Sequence, residues 1–288
     1  MDVTETTIGK ILTRTTGFLR TVTSHSLQPY RGCSFGKALC GVGCYVQHNQ
    51  HILAGRPWGS FLEVRTNAAA SYREHAPRER RWAIGRGIPF GIFCSSATDP
   101  FVPQEFKYGI TRSLLEAMCD EPPDLLILQT HSHRVADFLP LIQSLSQRCK
   151  LRVHVSIESD RETLPGLPPP ASSVENRLAA CATLRAAGIF TVVTVSPLLP
   201  IADPPAFFAR IAASANAVVL DHFIGGDGSS DGNRTLRTRL PQAMQHVAPD
   251  SVNLSYRDAM ATVAQKFLPD RVGVNIDGFA GRWITGHS

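Results

Sequence analysis

The amino-acid sequence predicts a parallel α/β fold of the β/α-barrel type, on three observations. Short apolar runs rich in β-branched residues recur at regular spacing through the chain. Segments of helical periodicity separate them, and strand, helix, strand in that rhythm marks parallel β/α units. Almost every run ends in polar residues, and in β/α barrels a site gathers at the carboxyl ends of the strands.

In chain order the predicted strands are Phe61–Arg65, Ile88–Phe93, Leu125–Leu128, Leu151–Val155, Phe190–Val195, Ala217–Leu220 and Arg271–Val274. Helices are predicted near 103–120, 134–148, 173–187, 204–214, 239–247 and 256–267; Ser172 or Ser173 caps the third of these and Gly188 stands just past its end. The polar strand ends are Cys94-Ser-Ser-Ala-Thr-Asp99, Gln129-Thr-His-Ser-His133, Ser156-Ile-Glu-Ser-Asp160, Ser196 and Asp221-His222. Simple turns are polar too, but all these ends together favour a shared site.

A chain of 288 residues with 43% hydrophobic content can bury one large core, so a single domain over 1–288 is expected. Met1–Arg20 has no long apolar run and carries Asp2 and Glu5, which is wrong for a signal or transit peptide. No stretch approaches the roughly 20 apolar residues of a membrane span, so no membrane partner is expected. The 7 cysteines, with Cys94, Cys119, Cys149 and Cys181 scattered, do not form a secreted disulfide pattern, and a reducing, cytoplasmic compartment fits them. A formal charge of +5 permits nucleic acid binding without implying it. Arg73–Arg81, with Trp82 and Arg86 following, is either a phosphate-contacting surface or a solvated helix face. Pro165–Pro170 and Gly225–Gly232 are loop-like, and the second matches neither the Walker pattern nor the Rossmann fingerprint.

The densest chemistry lies in Gln28–Tyr45, where Cys33, Cys40 and Cys44 share one loop. Thiolates in such a group hold iron and sulfur or zinc, and a metal with only three protein ligands keeps one coordination position free. Zinc is the rival metal because Cys44-x3-His48 completes a Cys3His set, which would make the chain a zinc-stabilised nucleic-acid-binding protein without redox chemistry.

Motifs along the chain resemble those of the radical S-adenosylmethionine enzymes and, within them, the spore photoproduct lyase-like group. They are Pro29-Tyr-Arg-Gly-Cys33, Cys44-Tyr45, Thr98-Asp-Pro-Phe-Val-Pro-Gln-Glu105, Gln129-Thr-His-Ser132, Val155-Ser-Ile-Glu158, Glu175-Asn-Arg177 and Ser196-Pro-Leu-Leu-Pro200. The resemblance implies a parallel partial (β/α)6 TIM-type barrel over 27–224, with 1–26 as a lead-in and 225–288 as an extension that closes or caps it. It implies a [4Fe-4S] cluster on Cys33, Cys40 and Cys44, with S-adenosylmethionine chelated at the fourth iron. Reduction then releases a 5′-deoxyadenosyl radical that abstracts hydrogen from a substrate, small molecule or nucleic acid, in a lyase-like or DNA-repair-like reaction. An electron donor such as flavodoxin or ferredoxin follows from the same chemistry. The family's usual loop is Cys-x3-Cys-x2-Cys, whereas this chain has Cys-x6-Cys-x3-Cys. Gly36, Gly41 and Gly43 free the longer backbone to wrap a cluster. Gly43 stands where the family has an aromatic residue near the adenine, and Tyr45 is the candidate to replace it.

The remaining family positions carry over singly. Ser95 or Ser96, and Ser156, match hydroxyls near the bound cofactor. His131 stands where a lysine or arginine often meets the methionine carboxylate; histidine, with a reference pKa of about 6.5, makes a weaker and pH-sensitive contact, and the alternative is a hydrogen-bonded strand-end residue. Glu158 and Arg177 either hold the ribose or carboxylate or form an interior ion pair. Cys94 lies near where the lyase places its hydrogen-donor cysteine, although five positions before Asp99 instead of three, and its alternative is a small apolar residue. Asp277–Trp283 either caps the barrel's open side or lines the pocket.

Overall fold

A computed structural model describes residues 1–285. Its strands are β1 (Asp2–Thr6), β2 (Leu12–Arg14), β3 (His25–Leu27), β4 (Tyr30–Gly32), β5 (Phe61–Arg65), β6 (Gly91–Cys94), β7 (Leu125–Thr130), β8 (Lys150–Ser156), β9 (Thr191–Val195), β10 (Ala217–Leu220) and β11 (Val272–Val274). The large sheet runs β11-β10-β9-β8-β7-β6-β3-β2, and every neighbouring pair except β2–β3 is parallel. It is open, with β2 and β11 at its edges. A smaller sheet, β1-β5-β4, stands apart.

The β-branched runs lie in strands within a few residues of where periodicity predicts them, because a two-sided parallel strand such as Thr191–Val195 is buried at every position. Phe61–Arg65 is the exception in placement. It is a strand, but it pairs in the small sheet and not in the parallel barrel sheet. The first parallel strand of the large sheet is instead β3, from which the chain crosses through Gln28-Pro29 into β4 and so delivers the cysteine loop. Three-residue strands carry too little periodicity to be read from sequence.

Predicted helices are found at Val174–Ala186, Pro204–Ser214, Leu240–Val247 and Leu254–Gln265. Ser173 caps the first of these, accepting the Asn176 N–H, and Asp203 caps the second, accepting that of Ala206. The helix predicted over 103–120 is divided at Gly109, whose φ of +63° ends Glu105–Tyr108 and opens Ile110–Asp120. Ala68–Ile84, a 17-residue helix, has no predicted counterpart as an element; its buried face is Ala68, Ser71, Tyr72, Ala76, Glu79 and Ala83, a stripe too small and polar to signal burial. On this helix Arg73 pairs with Asp120, and Arg80 with Glu121 and Asp124, so part of the arginine surface is tied to neighbouring acids.

Two apolar layers flank the large sheet. One face packs Ile92, Leu126, Leu128, Val153 and Val155 with the helices. The other gathers Phe93, Ile127, Val192, Ala217 and Val219 around Phe279, which arrives from Asn275–Ala280. Trp283 stacks on Phe190 with ring centroids 6.4 Å apart, fastening the end of that segment. The Asp277–Trp283 stretch therefore closes this face of the sheet.

Glu79 holds the edge of the sheet to the long helix. Its side chain is fully buried and receives Lys10 Nζ at 2.7 Å, Arg14 Nε at 2.8 Å and His25 Nε2 at 3.1 Å. Burial alone would raise its pKa, but these donors outweigh that and hold the carboxyl down at about 2. Glu79→Gln should lower the unfolding free energy by about 3 kcal/mol, at the low end for a broken buried pair because Lys10 and Arg14 reach solvent. A group whose pKa is depressed on folding stabilises fully above its unfolded value of about 4.3 and loses that contribution as pH falls. Urea unfolding at pH 7 and pH 3 should therefore show the mutant deficit shrinking at the lower pH.

Candidate active site: a cavity between the cysteine loop and the strand ends

A cavity of about 550 Å³ opens between the cysteine loop and the carboxyl ends of the parallel strands. Cys33, Cys40 and Cys44 all line it. The loop brings them there through two short helical turns, Ser34–Lys37 and Leu39–Val42, followed by Tyr45–His48. Its glycines make close backbone approaches: a Cβ at Gly41 would stand 2.1 Å from the Gly36 carbonyl oxygen, and one at Gly36 would stand 2.5 Å from the Gly59 Cα. The Leu39 N–H donates to the Pro169 carbonyl at 3.0 Å, which pins the loop to the Pro165–Pro170 stretch.

Burial, with the Asp99 carboxylate beside it, pushes the Cys33 thiol up to about 12, and burial pushes Cys44 up to about 11. Cys40 is raised well above its usual value by burial and then by Cys33 and Glu158. Without a metal these are neutral thiols, and metal uptake has to release their protons. Three soft sulfur donors facing one cavity fit an iron–sulfur cluster. His48, which the Cys3His zinc alternative needs, is not among the residues that line the cavity.

Tyr45, at the end of the loop, and Ser95, Ser96, His131 and Ser156 at the strand ends also line the cavity. The Tyr45 hydroxyl donates to the Ser96 carbonyl. Ser95 adopts φ +74°, a left-handed conformation unusual for a residue with a side chain, just where β6 ends. Gln28 Nε2 donates to Ser96 Oγ at 2.8 Å. His131 is placed by Asp99, which accepts its backbone N–H at 2.7 Å, and its Nε2 lies 3.3 Å from Glu158 Oε1.

Glu158, Arg177 and Cys94 are not brought to the cavity. Arg177, only 2% exposed, donates through Nη1 to Glu158 Oε2 at 2.7 Å and to the Ser156 carbonyl at 2.6 Å. The two form the interior ion pair, behind the wall that carries Ser156 and His131. Burial opposes ionisation of Glu158, but Arg177 and then His131 overcome it and hold the carboxyl below its usual range. Cys94 sits on β6 beside Leu27 and Leu128, its thiol raised to about 12 by burial, while the alternating residue Phe93 takes the cavity face. Strand alternation thus turns Cys94 away from the cavity and into the apolar layer.

Gln129, Ser196 and Asp221, read from the sequence as polar strand ends with no individual role, also line the cavity, as does Arg234, which the sequence reading did not name. Gln129 Nε2 donates to Ser156 Oγ at 2.8 Å and Thr194 Oγ1 at 3.0 Å, and Ser196 Oγ donates to Asp221 Oδ2 at 2.8 Å. For the first three the signal was present, since each directly follows a predicted strand. Arg234 lies beyond the glycine-rich loop, where no periodicity marks it.

The fold is that of solved radical S-adenosylmethionine enzymes. A spore photoproduct lyase mutant with bound AdoMet and dinucleoside spore photoproduct superposes with a TM-score of 0.60 over 95% of this chain and 81% of that one, at 17% identity. The same enzyme complexed with dinucleoside spore photoproduct gives 0.60 at 14% identity, again over 95% of this chain and 81% of that one. The chain therefore has the fold of those lyase structures. The resemblance read from the sequence is borne out at that level. Among sequence relatives, an uncharacterized protein of Mycobacterium tuberculosis is 30% identical over 186 residues, 61% of this chain and 50% of that protein. A radical SAM Nalpha-GlyT isomerase of Pseudomonas phage M6 is 25% identical over 201 residues, 68% of this chain and 38% of that protein. The chain spans about half the length, or less, of these curated relatives. No family model matches it. Among the described residues no helix is long and apolar enough to cross a membrane.

Breaking one side of the Glu158–Arg177 pair leaves a buried charge unpartnered. Arg177→Met should cost about 3–5 kcal/mol in urea unfolding, whereas the double change Arg177→Met, Glu158→Gln should recover much of that loss. Equal losses in the single and double variants would show that the pair is not the interior contact described.

Proposed function

We propose that Cys33, Cys40 and Cys44 hold a [4Fe-4S] cluster and that the cavity beside them binds S-adenosylmethionine together with a nucleobase-bearing substrate. The observation that carries this reading is the convergence of the loop cysteines on one cavity lined, on its other walls, by strand-end hydroxyls and His131. When bound, the cluster supplies the electron that cleaves S-adenosylmethionine reductively to methionine and a 5′-deoxyadenosyl radical, the species that takes hydrogen from a substrate.

The chain's own residues bind, orient and shield. His131, backed by Glu158 at 3.3 Å, meets the methionine carboxylate, and the Ser95, Ser96 and Ser156 hydroxyls serve the cofactor's polar edge. Tyr45 stands beside Cys44 in place of the family's aromatic residue. Phe18, Phe35, Phe93, Phe223 and Phe279 give the cavity an apolar lining that excludes water from a reactive radical. Those rings also suit a flat heteroaromatic ligand. A nucleobase-bearing substrate gains support from the lyase neighbours, whose bound ligand is a dinucleoside spore photoproduct. Electrons come from a small reductase partner of the flavodoxin or ferredoxin kind. No hydrogen-donor role is assigned to Cys94 in this reading, because it packs in the apolar layer on the other face of β6 from Phe93.

Anaerobic reconstitution tests the assignment. Wild type should turn brown with about four irons per chain and form 5′-deoxyadenosine on reduction with dithionite. Cys33→Ala, Cys40→Ala and Cys44→Ala should each lose most of the iron, while alanine at Cys94, Cys119, Cys149 or Cys181 should leave the iron content unchanged. A colourless protein with stoichiometric zinc would overturn the reading.

A further inference from the structure

Three carboxylates line or border the cavity floor, and they differ in what occupies them. Asp99 is filled by Phe101 N–H, Thr130 Oγ1 and His131 N–H. Asp227 is filled by Ser229 and by the Thr235 N–H at 2.7 Å. Asp221, at the end of β10 and 4% exposed, has Oδ2 on the Ser196 hydroxyl at 2.8 Å, while its Oδ1 is buried with no hydrogen-bond partner among the described residues. A buried carboxylate oxygen without a donor is costly, and such an atom facing a cavity is a vacant place for a ligand's N–H.

The backbone fixes that oxygen in place. The Asp221 N–H donates to the Val195 carbonyl at 3.0 Å, and the Leu198 N–H donates to the Asp221 carbonyl at 2.8 Å. Gly226 packs directly on the carboxylate: a Cβ there would stand 2.7 Å from Oδ1 and from Oδ2. Any larger residue at 226 would crowd both oxygens. The rings of Phe223 and Phe279 line the same cavity, so a planar ligand that stacks there presents its edge to a polar wall.

We propose that Asp221, held by Ser196, is the residue of this cavity that reads an N–H donor on the edge of a nucleobase. The subsite rests on the functional reading above and adds to it a ligand chemistry: a heteroaromatic ring carrying an amino or imide N–H. That donor belongs either to the adenine of S-adenosylmethionine or to the base of the substrate. Burial, with Asp227 adding to it, pushes the Asp221 carboxyl up to about 7 against the opposing pull of the Ser196 hydroxyl and Arg257. Arg234, on the same cavity, makes no ion pair among the described residues and is the cation available to a phosphate on such a ligand.

The test uses the anaerobically reconstituted full chain, with iron content and melting temperature recorded first. Asp221→Ala should keep both, because it removes an unsatisfied group. Calorimetric titration with S-adenosylmethionine and with thymidylyl-thymidine then reads the subsite. A loss of about 10- to 100-fold in affinity for one of the two ligands supports the proposal, the range expected for a hydrogen bond to a charged group. If the loss is in S-adenosylmethionine, the purine analogue lacking the 6-amino group, which has no ring N–H in its place, should bind wild type as weakly as the normal cofactor binds the variant, which assigns the cofactor as the source. If the loss is in thymidylyl-thymidine alone, the substrate is the source. Ser196→Ala, which frees the carboxylate without removing it, should weaken the same ligand by a smaller factor. Unchanged affinity for S-adenosylmethionine, together with unchanged or undetectable binding of thymidylyl-thymidine in both proteins, overturns the subsite. Failure of wild type to hold iron on the loop cysteines instead overturns the functional reading, a separate measurement with a separate outcome.

Discussion

Asp99 accepts the Phe101 N–H at 2.9 Å, the Thr130 hydroxyl at 2.9 Å and the His131 N–H at 2.7 Å, and through these bonds it joins the end of β6 to the end of β7. A carboxylate 4% exposed is tolerated only with such a set of donors. The arrangement does more than tie two strands. It sets the backbone from which His131 reaches Glu158, and it stands beside Cys33, whose thiol it helps to keep protonated. A carboxylate next to a thiol disfavours a bare thiolate, so the loop is stable as neutral thiols and takes on negative sulfur only with the countercharge of a metal.

Above this anchor the cavity follows from strand alternation. On one face of the sheet Phe93, Ile127, Val192, Ala217 and Val219 form an apolar layer, and farther along toward the strand ends Gln129, Ser156 and Thr194 form a hydrogen-bonded layer. Gln129 Nε2 bonds both hydroxyls of that layer, while Gln129 Oε1 has no hydrogen-bond partner among the described residues. The opposite face is continuously apolar and meets the helices. Cys94 and Phe93 show how sharply this decides function, since adjacent residues in one strand belong to different layers, and only the second lines the cavity.

Much of this was legible in the chain. Runs such as Thr191–Val195 announce themselves because a strand buried on both faces can be nearly all β-branched, and Ser173 and Asp203 mark helix starts by the cap each makes. The loop cysteines and the strand-end hydroxyls were visible as residue types at meaningful places. What could not be read was orientation. Glu158 and Arg177 look like ligand-binding groups in sequence, yet their 2.7 Å pairing behind the wall is a tertiary fact that no local pattern encodes. The same holds for β3 and β4, too short to show a period, and for Ala68–Ile84, whose buried stripe of small and polar side chains reads as surface. Asp221 was seen only as a polar strand end, because its unpartnered oxygen depends on Ser196, Gly226 and Asp227 arriving from other segments.

The longer cysteine spacing is reconciled with one shared cavity by how the extra residues fold. Three added residues between Cys33 and Cys40 in an extended loop would carry those two apart, by about 3.3 Å for each residue of extended chain. Here they coil instead, since Ser34–Lys37 and Leu39–Val42 are single helical turns that advance far less per residue. The fold-back requires backbone to lie directly on backbone at Gly36, Gly41 and Gly59, where a Cβ at Gly41 would come within 2.1 Å of the Gly36 carbonyl. The glycines therefore serve the compactness of the loop itself, by letting it pack upon itself, and the cysteines reach the cavity as a consequence. Gly43 makes the corresponding contact outward, with Leu240 2.5 Å from where its Cβ would be, so the turn that carries Cys44 is seated on the helix Leu240–Val247 from the C-terminal region. Cysteine spacing alone is then a weak guide to ligation, because what brings the sulfurs to one cavity is the path between them and the surfaces on which that path rests.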